Sequence, residues 1–372
     1  MPAQKFGKGA VAALVIAHCA GMLDLVALPV WVGALVERFG FSPQQAGGLA
    51  TLFLLGAVAA SAVAAHRFNR VNPRVIAASG FAVAALAFLV ASTQTDFAPL
   101  AVLHLLAGLA AGAALSMVHG TMGHADNPHR LFATAGVAIG LFGILMLGGI
   151  PQLLISHGGQ AMFQVFAVLM ALAAVACALL FRNPTSLQPG AVAPFNRATW
   201  LTILGISIMT YNQAMVFSFV EVIGKARGFA PAHVLAVLLT LGIVNFLFPA
   251  PLAAFLQNRV RATAVVQIGP AVQAVLALVV TGATAFVFWA PAASVFVAVQ
   301  IFTHTFAFGL LARLEPSGRA VAATPAMLMI GAALGPIVGG ALGEHLGFGA
   351  LGIAAVLVAA LSITCFSKAK AQ

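Results

Sequence analysis

The chain has 372 residues, of which 62% are hydrophobic and only 6% charged, and its mean hydropathy is +1.08. No soluble globular domain has this composition, so a soluble enzyme and a DNA-binding module are both excluded. The formal net charge of +10 follows from membrane topology rather than from a nucleic-acid partner, as the distribution of the basic residues shows below.

Apolar runs between polar breaks predict an all-α membrane protein of twelve transmembrane helices. They cover 9–36, 44–65, 74–93, 97–122, 130–155, 160–181, 199–222, 231–256, 263–286, 290–312, 320–342 and 348–366. The first run is too long for the apolar core of a secretory signal and lacks a small-residue cleavage site, so it is expected to stay in the mature protein. Connections are short. The longest, Arg182 to Ala198, contains Pro184, Pro189, Gly190 and Pro194 and splits the spans six and six. The domain reading is an N-terminal six-helix bundle over 1–181, a linker over 182–198 and a C-terminal six-helix bundle over 199–372.

The first helix organises the rest. Ala10 to Val36 is apolar enough to cross a bilayer yet carries one acid, Asp24. At ~1.5 Å rise per residue the carboxyl lies roughly 18–21 Å from either end of that stretch, too far for so short a side chain to snorkel. A carboxylate at that depth costs about 2.5–3.5 kcal/mol on insertion scales. It is relieved by binding a proton, because burial disfavours the charged form, or by facing a wet interior. Either route makes Asp24 a candidate proton carrier.

Twelve spans put both termini on one side. With them lie Lys5, Lys8, Arg67, Arg70, Arg74, Arg130, Arg182, Arg197, Arg259, Arg261, Arg313, Arg319, Lys368 and Lys370; opposite lie Arg38, Lys225 and Arg227. A split of 14 against 3 predicts cytoplasmic termini by the positive-inside rule. The Ala- and Gly-rich composition accords with a bacterial inner membrane. An internal repeat supports the two halves. Gly40-Phe41-Ser42-Pro43 recurs as Gly228-Phe229-Ala230-Pro231 at an offset of 188, and Asp126 with Arg130 recurs as Glu315 with Arg319 at 189. The same offset sets Asp24 opposite Asn212 or Gln213. Equivalent polar groups at mid-depth in two repeats point to a transporter with its substrate site between them.

With these features the chain resembles the major facilitator superfamily over essentially its whole length. The resemblance implies two six-helix halves that rock about a central cavity lined by helices 1, 4, 7 and 10. The family's loop between helices 2 and 3 is matched by Arg67 and Arg70, with His66, Asn69 and Ala62 departing from its pattern. The resemblance implies a cytoplasmic gate there, with Asp126 and Arg130 as partners and Glu315 and Arg319 as their repeat equivalents. Where proton-coupled members often carry Arg-x-x-x-Gly on helix 4, this chain has His104 four residues before Gly108. His104 is therefore expected to exchange protons with Asp24 if the two lie close, since His titrates near neutral pH. A Gly-x-x-x-Gly-Pro-x-x-Gly-Gly motif stands in helix 11, from Gly331 to Gly340, where it reads as helix packing or a hinge.

Tyr211, Asn212 and Gln213 form the most polar mid-membrane triplet of the second half, and successive residues point ~100° apart, so they cannot all face one cavity. Gln300 and His304 share a face of helix 10. These five are the candidate substrate contacts. Gln267 and Gln273 read as bonds within the bundle, and His18, Asn245 and Gln152 as packing or lining residues. Glu221 and Lys225 read as a solvated pair. His119, His124 and His129 read as interfacial, their spacing unsuited to a metal. Cys19, Cys177 and Cys365 form neither a disulfide framework nor a metal motif. No cofactor is expected besides a proton gradient, and the chain is read as a monomer. Without Lys or Arg at mid-depth, a neutral, amphiphilic or cationic organic compound suits it better than a phosphate ester. Three readings stand: a proton-coupled exporter of the drug and metabolite efflux kind, a proton-linked importer of a nutrient or metal chelate, and a non-transporting membrane sensor or assembly factor.

Overall fold

A computed structural model describes residues 5–184, 194–315, 320 and 324–370. Among the described residues, twelve helices are long and apolar enough to cross a membrane. They are Lys8–Phe39, Pro43–Arg70, Pro73–Ala91, Phe97–Gly123, Arg130–His157, Gln160–Leu180, Arg197–Ala226, Pro231–Leu256, Ala262–Gly282, Phe286–Leu314, Met327–Leu346 and Gly349–Ala369, called here spans 1 to 12. All twelve coincide with the predicted runs.

Three helix starts on the side of the termini are capped by asparagines. Asn72, Asn127 and Asn196 accept from the N–H groups of Val75, Arg130 and Thr199 at 3.3, 2.9 and 2.8 Å, and Pro73 and Pro128 occupy the first helical positions. Each cap satisfies one of the amides that a helix start leaves open. Spans 1, 7, 8 and 11 are each built of two α-helices. Span 1 consists of helices Lys8–Gly21 and Leu23–Phe39 with a turn at Met22. Span 7 consists of Arg197–Phe217 and Val220–Ala226.

Packing divides the chain into two compact units, Met1–Leu28 with Leu52–Val192, and Pro29–Thr51 with Ala193–Gln372. The hairpin over 29–51 therefore packs with the second set of helices, a departure from the division at the linker. In the first unit, span 3 packs on spans 4 and 6, and helix Lys8–Gly21 of span 1 packs on spans 4, 5 and 6. The same pairings recur six spans later: 9 on 10 and 12, and 7 on 10, 11 and 12. The repeat read from short motifs is thus carried by the packing. Bare glycine faces set the closest approaches. Gly108 and Gly112 of span 4 sit against the carbonyls of Phe53 and Ala57, and Ser61 Oγ donates to Gly112 O at 2.8 Å. In the second unit the span 11 motif does the same work. Gly331 meets Ser207 of span 7, and Gly340 meets Pro43 of the hairpin.

Candidate functional site

Asp24 is 4% exposed and sits in the first turn of Leu23–Phe39, just past the interruption at Met22. The unpaired N–H groups of a helix start favour a negative side chain. The interruption follows Gly21, where a Cβ would lie 2.7 Å from Leu115 Cδ1, so span 4 presses on span 1 at the residue where the helix slackens. Of the seven acidic residues in the chain, Asp24 is the one placed far from both ends of a span.

His104 is fully buried, and its Nδ1 lies 2.7 Å from Leu100 O of its own helix. Its ring is edge-on to Phe163 at 5.4 Å and to Phe88 at 6.2 Å. These are the surroundings of a packing residue in the seam of spans 3, 4 and 6. Another histidine pair was missed by the sequence reading. His18 Nδ1 lies 2.9 Å from His119 Nε2, joining spans 1 and 4. At that distance one nitrogen carries the hydrogen and the other accepts it. His119 also packs on Phe132 of span 5 at 5.9 Å. The two are 101 residues apart in sequence, beyond any spacing rule.

In the second unit the expected substrate contacts separate. Asn212 Nδ2 donates to Gln273 Oε1 and to Ala355 O, both at 3.3 Å. Gln273 Nε2 donates to Gln300 Oε1 at 3.1 Å, Gln300 Nε2 to Thr210 Oγ1 at 2.8 Å, and Thr210 Oγ1 to Ile206 O at 2.9 Å. All four side chains are at most 2% exposed. Asn212 and Gln300 are thus held in a chain of amides that ties spans 7, 9, 10 and 12. Gln300 belongs to that chain, whereas the His304 ring stacks on Phe308 at 4.8 Å. The buried His304 Nδ1 has no hydrogen-bond partner among the described residues. Tyr211 is half-buried and Gln213 is 4% exposed.

At the end of spans 1 and 7 distal to the termini, Glu221 is 6% exposed, not solvated as the i, i+4 spacing suggested. Lys225 Nζ donates to Glu221 Oε1 at 2.6 Å and to Glu37 Oε2 at 2.7 Å. At the opposite end, Arg67, Arg70, Asp126 and Arg130 are exposed and enter no ion pair among the described residues. Asp126 accepts from the Asn127 N–H at 2.9 Å, and Glu315 Oε2 from the Ala320 N–H at 3.3 Å. Arg319 lies outside the described residues. What anchors the last turn of span 2 is Phe68, 9% exposed and stacked on His124 at 5.5 Å. Among the described residues, no three His, Cys, Asp or Glu side chains gather as metal ligands would.

Twelve spans in two packing repeats, with interrupted helices and buried polar groups at mid-depth, define a multi-pass membrane transporter rather than an enzyme. The model of the Major Facilitator Superfamily matches residues 13–316, and the chain belongs to that family. Among solved structures it is similar to the nucleoside transporter NupG, with a TM-score of 0.71 at 14% identity over 98% of each chain. It is also similar to a bacterial homolog of the human lysosomal transporter Spinster in an inward-facing, occupied conformation, with a TM-score of 0.72 at 13% identity over 97% of this chain and 96% of that one. No curated protein matches in sequence.

Proposed function

We propose that the chain is a proton-coupled secondary transporter that exports a small neutral, amphiphilic or cationic organic compound by alternating access, with Asp24 as the proton carrier. The observation that carries this reading is the burial of the one mid-depth acid at the interruption of span 1. Protonated, the carboxyl is neutral and tolerates the apolar surround; deprotonated, it needs water or a cationic or hydrogen-bonding substrate group. The His18–His119 pair extends the route. His18 is six residues from Asp24, about 9 Å along the helix axis, on the side of the termini. His119 lies one turn from the end of span 4 at Gly123.

Tyr211, Gln213 and His304 are the substrate contacts in this reading, because Asn212 and Gln300 are engaged in the amide chain. Arg67, Arg70, Asp126, Arg130, Glu315 and Arg319 serve as the gate on the side of the termini and pair only when that side is closed. In this reading both termini face the cytoplasm of a bacterial inner membrane, an orientation that the 14-to-3 sorting of basic residues supports.

Export rests on the resemblance to the efflux branch. The nucleoside transporter among the similar folds makes uncharged nucleosides the first probes to try, in both directions. Purified full-length chain in liposomes is expected to move a probe identified by thermal-shift screening only when a pH gradient is imposed. Everted and right-side-out vesicles distinguish export from import. Proton-driven transport that persists unchanged in Asp24→Asn would refute the carrier role.

A further inference from the structure

A second buried carboxylate has been left without a role. Glu221 Oε2 is buried and has no hydrogen-bond partner among the described residues, while its Oε1 takes one hydrogen from Lys225. Lys225 divides its single positive charge between two acids, Glu221 and Glu37. The side chains of Lys225 and Glu37 are 27% and 33% accessible, that of Glu221 only 8%. The charge left uncompensated therefore falls on the group with the least water. A buried carboxylate is tolerated when its lone pairs are filled, and Oε2 is the lone exception in this triad. Gly33 brings the group in: a Cβ there would lie 2.9 Å from the Glu221 carboxyl carbon.

We propose that Glu221 is a second proton-binding site of this transporter, reached from the water on the face distal to the termini past the part-exposed Lys225 and Glu37. A proton from that water forms an O–H bond at Oε2. The triad then changes from one cation and two anions to a neutral acid beside a balanced Lys225–Glu37 pair. The proposal rests on the proton coupling argued above but assigns it a group other than Asp24.

The other ionisable groups around Glu221 are accounted for. Span 1 supplies Glu37 and the exposed Arg38, which lies within electrostatic reach. Arg227 donates instead to Thr281 O at 2.5 Å. Span 8 supplies His233, whose ring packs on Phe286 at 5.2 Å, and span 9 has no titratable residue. A metal ion fits poorly here. Hard cations gather about six or more oxygens, whereas this site offers one free oxygen next to an ammonium.

The test is infrared difference spectroscopy of the reconstituted full chain, titrated with protons from about pH 8 to about pH 5. Growth of a C=O band from a protonated carboxyl is expected on acidification. With carbonyl-labelled ¹³C-glutamate that band should shift. It should vanish in Glu221→Gln, survive in displaced form in Glu221→Asp and persist in Asp24→Asn. A band unmoved by labelled glutamate, or unchanged in Glu221→Gln, overturns the proposal. The isotope arm separates glutamate from aspartate, and Glu221→Asp, which keeps a carboxyl in place, assigns the band to position 221 where Glu221→Gln folds poorly. If proton-driven transport survives in Asp24→Asn while the glutamate band behaves as described, the Asp24 reading fails and the Glu221 site stands.

Discussion

The mid-depth polar groups of the two units differ in kind. In the second unit Asn212, Gln273, Gln300 and Thr210 pass hydrogens from one to the next and finish on a backbone carbonyl. In the first, Asp24 is the one acid in a long, mainly apolar run, set just past the turn that interrupts its helix. In lipid, neutral amides that find one another are structural braces, because each satisfies the next. An ionisable group has a second option, the gain or loss of a proton, and that option is what coupling uses. Polar density in a span therefore signals packing at least as readily as it signals a binding site.

The largest expected effect tests that contrast directly. Asp24→Asn should reduce proton-driven uptake into everted vesicles to the level of protein-free liposomes while leaving the melting temperature of the purified protein unchanged or higher. A melting temperature that falls with transport intact would reverse the assignment of the two regions. Gly108→Leu comes next. The leucine meets the Phe53 carbonyl, and overpacking of this kind costs about 1–3 kcal/mol or more, read as a lowered melting temperature and poor yield. Gln273→Ala removes the middle of the amide chain and should cost about 1–2 kcal/mol, with the pH profile of transport preserved. A changed pH profile in that variant would give the amides a role in coupling. The smallest effect belongs to a histidine pair of variants. His104→Phe should leave the pH profile intact, since its neighbours are phenylalanines, whereas His18→Phe should slow proton-coupled flux at constant substrate affinity.

The spans were legible because about 20 consecutive apolar residues have no other stable use. Their side-chain directions were not. Asn212 and Gln300 looked like ligands for a substrate because helical spacing fixes which residues share a face, not which neighbour the face meets. Gln273, read as an internal bond, is the link that occupies both. The end of span 2 draws attention for Arg67 and Arg70, yet its anchor is Phe68, which no charge-based reading selects. The triad was missed although its signal was at hand. The offset of 188 taken from the Gly-Phe-x-Pro repeat maps Gly33 onto Glu221 and Glu37 onto Lys225.

That coincidence has a consequence for how far the halves can resemble each other. Where a chain's two repeats touch at matching positions, every residue confronts its own twin. Identical halves would set glutamate against glutamate at 37 and 225, and would drive two bulky acids into the space that 33 and 221 share. Divergence there is a steric and electrostatic obligation: one twin must be small where the other is large, and basic where the other is acidic. Exchanging the members of a pair, as in Glu37→Lys with Lys225→Glu, should therefore be gentler than making them alike.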